Sequence, residues 1–355
     1  MFSKALVVLA LCASALAIPT RGGLTVAIQA PKNVASIAEL TVVAAVTNTG
    51  AEDVKIMNIG TVLDSRLPTK SFTVSRNGTE VSFTGVKLSL NLEKLSADAY
   101  TVIPAGKTVS VVHNIAALFD FENAGVGAFS IEPVNHIPVV ASDSNATAVA
   151  LQPYQLSTSK HDFRISKDVA KRSLPQQTEK RAFLDCPDAA SSDFISASYT
   201  EGTGLASLAS SYISGNGADA LFGAYFKESN PGDIINVFNN VYNEAAFGNR
   251  ALSCSDPDGI CASGDVIAYT HIPNGDVFFC GGFFSMVSST DICAGADHRN
   301  IRGAVTLHEL THATSGTTDI GYGCDFDQSL AAGDAIRNAD NYNCFSVQVF
   351  QDTQC

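Results

Sequence analysis

The chain has no cysteine between Ile18 and Arg181, no glycosylation sequon after Ala182, no internal repeat, and few basic residues in its second half. Each absence excludes something. A bilayer-spanning helix needs about 20 apolar residues; the longest candidate, Ala5 to Leu16, falls short and is broken by Pro19 and Arg21. The opening stretch MFSKALVVLALCASALA instead reads as a signal peptide over residues 1–17, with Lys4 before the apolar run and small residues at Ala15 and Ala17. Secretion into an oxidising extracellular space follows as the expectation. From Ala182 onward, five basic residues (Lys227, Arg250, Arg299, Arg302, Arg337) face twenty-one Asp and Glu, so 5 − 21 gives −16, while the remainder carries 17 − 14, or +3. Such acidity excludes nucleic acid and anionic membranes as partners. The opposite charges of the two parts favour their association in one precursor.

What cysteine there is lies late. Cys12 leaves with the signal peptide, and the other eight fall between Cys186 and Cys355. That lopsidedness predicts two modules, residues 18–181 and 182–355. Between them QQTEKR ends in the dibasic pair Lys180 and Arg181, where a Kex2-type processing protease is expected to cut. An even number of cysteines in a secreted module points to disulfides rather than metal ligation, although their connectivity does not follow from the sequence.

The first module reads as strands: LTVAIQA, ELTVVAAVTN, SFTVSRNGTEVSFTGV, KTVSVVHNI and GAFSIEPV, with turns at Asn48-Thr-Gly50 and Arg76-Asn-Gly78. Short strands at regular spacing predict a β-sandwich-like domain. Sequons at Asn77 and Asn145 place any sugar on this module. Residues from about Ala141 to Arg181 are polar and read as a linker open to proteases. The second module shows helical spacing over Ala189–Ser214, Gly232–Phe247, Gly303–Thr314 and Phe326–Asn341, with strand-like DVIAYTHI and DVFFCGGFF around a Pro273-Asn-Gly275 turn. The predicted class is α+β: a mostly helical domain with a small sheet.

Histidine is also scarce, with seven in 355 residues, yet HELTHATSGTTDIGYG (His308 to Gly323) holds two of them. On a helix His308 and His312 project from one face and can hold one Zn²⁺, and Glu309 can take a proton from a metal-bound water. A catalytic zinc site needs a third protein ligand. No histidine follows His312 and no glutamate follows Glu309. Asp319 is the nearest remaining carboxylate, and Gly316 can end the helix and turn the chain back toward it. Upstream His271 and His298 stay open as alternatives, but read better as structural or solvated. With no histidine downstream of the metal helix, an oxyanion donor must come from elsewhere, and the Tyr322 phenol qualifies.

The pattern H-E-x-x-H followed by G-T-x-D-x-x-Y-G resembles the deuterolysin family of fungal zinc endopeptidases. Its fixed positions are His308, Glu309, His312, Gly316, Thr317, Asp319, Tyr322 and Gly323, and the similarity extends from about Cys186 to Cys355, including Asn338 to Asp340. The resemblance implies a zincin-like catalytic domain behind a signal peptide and propeptide, one Zn²⁺ per chain on His308, His312 and Asp319, and Glu309 as general base. It implies Tyr322 as oxyanion donor, with Asp340 and Thr317 contributing to substrate binding and Asp340 shaping the pocket beyond the scissile bond. It also implies the pairs Cys186–Cys254, Cys261–Cys280 and Cys293–Cys355, leaving Cys324 and Cys344 to each other. One departure is that only six residues separate His312 from Asp319, fewer than in typical deuterolysins, which bears on loop shape and subsite preference. The expectation is a secreted monomeric zymogen acting on proteins and peptides, preferably basic ones. The rival is a secreted zinc-binding pseudoenzyme or effector that grips a partner without cutting it. A third reading keeps the β-rich part as a lasting binding domain. Without a cysteine in residues 18–181, latency cannot use a thiolate on the zinc and must come from steric cover or from the fold of the precursor.

Overall fold

A computed structural model describes residues 23–140, 151–170, 184–246 and 250–355. The signal peptide, the Asn145 sequon and the Lys180-Arg181 pair lie outside the described residues. The architecture is mixed α and β with several sheets. No helix among the described residues is long and apolar enough to cross a membrane.

Alternation builds the first half. In Thr41–Asn48, Val42, Ala44 and Val46 are buried while their neighbours face outward, the period of a half-buried strand. Three small sheets result among the described residues. One orders Ser157–Thr158, Leu24–Gln29, Thr41–Asn48 and Thr108–Asn114; a second orders Asn33–Ser36, His161–Asp168, Gly127–Pro133, Phe72–Arg76 and Thr79–Glu80; a third orders Leu151–Gln155, His136–Val140, Val54–Met57 and Tyr100–Ile103. They share a core that includes Val42, Val74, Phe129, Ile131, Phe163 and Ile165. At the Arg76-Asn-Gly78 turn both Asn77 (φ 51°) and Gly78 (φ 81°) adopt the left-handed backbone of a tight hairpin. The linker reading is corrected for residues 151–170, the part of 141–181 that is described. Leu151–Gln155 and His161–Asp168 are strands, the latter interior to its sheet, and their polar look reflects one solvent-facing side.

The second half opens with Ala189–Asn216, capped by the Asp188 side chain accepting from Ser191 N–H. This helix crosses Arg302–Ser315 where Gly202 meets Gly303: a Cβ on Gly202 would sit 2.8 Å from the Gly303 carbonyl oxygen. Pro231–Tyr242 packs alongside, with Pro in the first turn and Phe238 in the core. The predicted strands appear as Val266–His271 and Asp276–Phe279. A single helix over Phe326–Asn341 does not form. Cys324–Ser329 and Ala332–Ala335 are separate short helices, and a long helix, Ala339–Gln354, starts only afterwards. Asn338 has an extended backbone, and its side chain accepts from Ile320 and Gly321 N–H; those bonds hold the loop ahead of it and stop the helix. The sheet of this half runs Leu184–Asp185, Leu252–Ser253, Asp276–Phe279, Val266–His271, Val86–Leu90. Its last strand comes from the first half, and a mixed core there joins Met57, Val86, Leu88 and Leu90 to Tyr269, Phe278, Tyr322 and Phe326.

Candidate metal centre

Arg302–Ser315 carries His308, Glu309 and His312, all three buried. The helix stops at Gly316, whose φ of 69° is left-handed and whose N–H bonds back to the His312 carbonyl. The reversed chain brings Asp319 onto the helix face. Asp319 Oδ1 lies 3.1 Å from His308 Nε2 and 3.0 Å from His312 Nε2, and the two Nε2 atoms are 3.1 Å apart. Three donor atoms so spaced can share one ion held about 2 Å from each, the distance zinc takes to imidazole and carboxylate.

The electrostatics also call for a cation. Burial alone would raise the Asp319 carboxyl, yet the two imidazoles outweigh it and hold Asp319 well below the usual carboxylate range. Burial likewise opposes charge on His308, but hydrogen bonds to Asp319 and Asp340 hold its pKa up at about 10. Burial pulls His312 down to about 4. A buried carboxylate between two imidazoles favours positive charge at this point, which a bound cation supplies.

The ring nitrogens facing away from Asp319 have polar neighbours too. His308 Nδ1 lies 3.4 Å from Asp340 Oδ1, and Asp340 Oδ2 accepts from Gly323 N–H at 2.6 Å. His312 Nδ1 lies 3.0 Å from the Thr317 carbonyl oxygen. Partners of this kind orient metal-binding imidazoles. Asp340 and Thr317, expected among the substrate-binding groups, therefore sit behind the two histidines. Glu309 Oε2 accepts from Thr270 Oγ1 at 2.6 Å, and Ser89 also interacts with this buried carboxylate. Burial lifts its pKa to about 7, suited to proton transfer near neutrality. The Tyr322 ring stacks on His308, and its hydroxyl donates to the Leu88 carbonyl oxygen at 3.0 Å. Burial and nearby carboxylates raise this phenol well above its ordinary value, so it keeps its proton.

His271 Nδ1 meets Asn274 Oδ1 and His298 Nε2 meets Gln351 Oε1, so neither joins the cluster. The other close group, Asp327, Asp340 and Cys344, includes a disulfide sulfur. Bridges join Cys186–Cys254, Cys261–Cys280, Cys293–Cys355 and Cys324–Cys344, the pairing the resemblance implies. Thr270, Asn338 and Leu88 escaped the sequence reading. Asn338 alone carried a signal, as part of the Asn338–Asp340 match.

The Deuterolysin metalloprotease family profile matches residues 1–354. Among curated relatives, the chain is 28% identical over 352 residues to a peptidyl-Lys metalloendopeptidase of Armillaria mellea, covering 95% of each chain. To neutral protease 2 of Aspergillus oryzae it is 29% identical over 352 residues, again covering 95% of each. Among solved structures it is similar to a zinc peptidase from Grifola frondosa at 20% identity and a TM-score of 0.37, with 45% of this chain and 96% of that one covered.

Proposed function

The chain belongs to the deuterolysin metalloprotease family, and from that premise we propose that it is a secreted zinc endopeptidase made as an inactive precursor. The observation carrying this is the triangle of His308, His312 and Asp319 with buried Glu309 beside it. One zinc on those three residues would supply Lewis-acid activation of water and of the carbonyl to be attacked. The chain's own groups do the rest. Glu309, steadied by Thr270, takes a proton from the attacking water and returns it to the leaving amine. Tyr322 donates to the oxygen on which charge develops. Asp340 and Thr317 fix the two imidazoles so that their Nε2 atoms stay convergent.

In this reading residues 1–17 are removed on secretion, residues 18–181 are a propeptide released after Lys180-Arg181 by a Kex2-type protease, and residues 182–355 are the monomeric enzyme. Substrates are proteins and peptides, with basic ones favoured by the −16 charge. A pseudoenzyme that only binds a partner is less well supported, because a purely structural zinc site has no use for a buried base beside it. Metal analysis together with casein hydrolysis, with and without a chelator, tests the activity: the expected result is about one zinc per chain and hydrolysis that chelation abolishes and zinc restores. A gel of the secreted material tests the processing. A smaller acidic form beginning at Ala182 supports the precursor, and a single full-length band supports a lasting binding domain.

A further inference from the structure

Val86–Leu90 is, among the described residues, the one strand of the first half that enters the C-terminal sheet. It adds antiparallel to Val266–His271, with Lys87 opposite Thr270 and Leu88 opposite Tyr269. Thr270 is the residue that holds Glu309. A chain added to a sheet edge has its direction and register fixed by main-chain bonds, while alternate side chains enter pockets. Leu88 is gripped on both sides of its backbone. Its N–H donates to Asp319 Oδ2 at 2.8 Å, and its carbonyl oxygen lies 3.2 Å from His308 Nε2 while accepting from Tyr322. The oxygen therefore lies beside the donor cluster, as far from His308 Nε2 as the three donor atoms are from one another, to within about 0.2 Å. Lys87 is buried, and its ammonium donates to the carbonyl oxygens of Gly316 and Thr317 just past the end of the metal helix, where the helix dipole favours a cation.

Building on the endopeptidase reading, we propose that Val86–Leu90 lies in the substrate cleft in a substrate's direction and register. Leu88 supplies the carbonyl in the position of attack, and Lys87 fills a cation-accepting subsite made by the Gly316 and Thr317 carbonyls and Asp319. The strand escapes cleavage because its carbonyl oxygen, beside His308 Nε2, stands where the attacking water would enter, and the mixed core around Leu88 and Leu90 keeps it there. The same contacts define a preference: substrates carry Lys or Arg immediately before the residue whose carbonyl is attacked.

Occupancy is tested in the full, zinc-loaded chain carrying Glu309→Gln, so that nothing is cut, with a labelled peptide of sequence Thr84–Leu92 as the probe. Leu88→Pro removes the N–H that Asp319 accepts, and should raise peptide affinity at least about tenfold over the chain with Leu88 intact. Should that variant fail to fold, Lys87→Glu leaves every ladder bond in place and sets a carboxylate against Asp319, with the same rise expected. Equal affinities in the folded variants and the parent overturn the occupancy. The subsite is tested on the processed enzyme with peptides bearing Lys or Glu at the position of Lys87. Lys should raise kcat/KM at least about tenfold over Glu, and equal values overturn it. Casein hydrolysis without this preference defeats the subsite and leaves the endopeptidase standing. Peptide capture as expected, with no hydrolysis by zinc-loaded processed protein bearing Glu309, defeats the endopeptidase and leaves the occupancy standing.

Discussion

Glu309 accepts from Thr270 at Oε2, with Ser89 also interacting with the carboxylate, and is fully buried. A carboxylate so placed is suited to proton transfer. Glu309→Gln preserves shape and all three ligands, so zinc content should stay at wild-type level while kcat of the processed enzyme drops by a factor on the order of 10³ or more. Near-normal turnover in a zinc-loaded variant would refute the role. Tyr322 offers a separate test, since its hydroxyl already meets a carbonyl oxygen at the site and its ring lies along His308. Tyr322→Phe keeps the stacking and loses the donor, so kcat should fall roughly 10²–10³-fold. KM should change little, because the bond matters most when the oxygen carries charge. A rise in KM at constant kcat would make Tyr322 a ground-state contact instead.

At the scale of elements, the loop carrying Asp319 and Tyr322 hangs on the buried Asn338, which also donates to Asp327 Oδ1. Asp327 is fully buried, and burial together with the neighbouring Asp340 charge raises its pKa well above the ordinary carboxylate value. A raised folded pKa means the protonated form is the one the fold prefers. Stability is therefore fullest below the unfolded value, near pH 4, and drains as pH rises toward the folded one. Asp327→Asn mimics the protonated state at every pH. The variant should match the wild-type Tm near pH 4 and exceed it near pH 7. Equal differences at both pH values would mean that Asp327 ionises normally. This element also marks where the sequence stops being legible. His308, Glu309, His312, Gly316 and Asp319 could be read because helix periodicity and one glycine turn bring them together over twelve positions. Thr270 and Leu88 act across tertiary distance, with Leu88 meeting Tyr322 over 234 positions, and nothing local announces them; Asp340 was legible through the resemblance, but not its contact with His308. The Phe326–Asn341 reading failed for the same reason: its apolar spacing is helical, but Asn338 is committed to a loop that the sequence does not show it touching.

At the scale of the whole molecule, charge divides where the proposed cut lies, −16 after Ala182 against +3 before it. Polar contacts cross the division, with Arg299 of the acidic part 3.9 Å from Glu93 and the Asp334 carboxylate 3.1 Å from His136 Nε2. Once the first half is gone, the exposed carboxylates should concentrate cationic polypeptides around the cleft and speed their encounter. This attraction acts over a Debye length, about 8 Å at physiological ionic strength and about 3 Å at 1 M. The ratio of kcat/KM for a histone to that for an acidic protein should be well above one at low salt and fall steeply as salt rises. The Lys87 subsite makes a different demand, because its contacts are short, buried and poorly screened. With small neutral peptides differing only at that position, the preference for Lys should survive at 1 M salt. A histone ratio that ignores salt would leave the subsite as the sole source of basic preference. A peptide preference that vanishes with salt would instead assign the whole effect to the surface field.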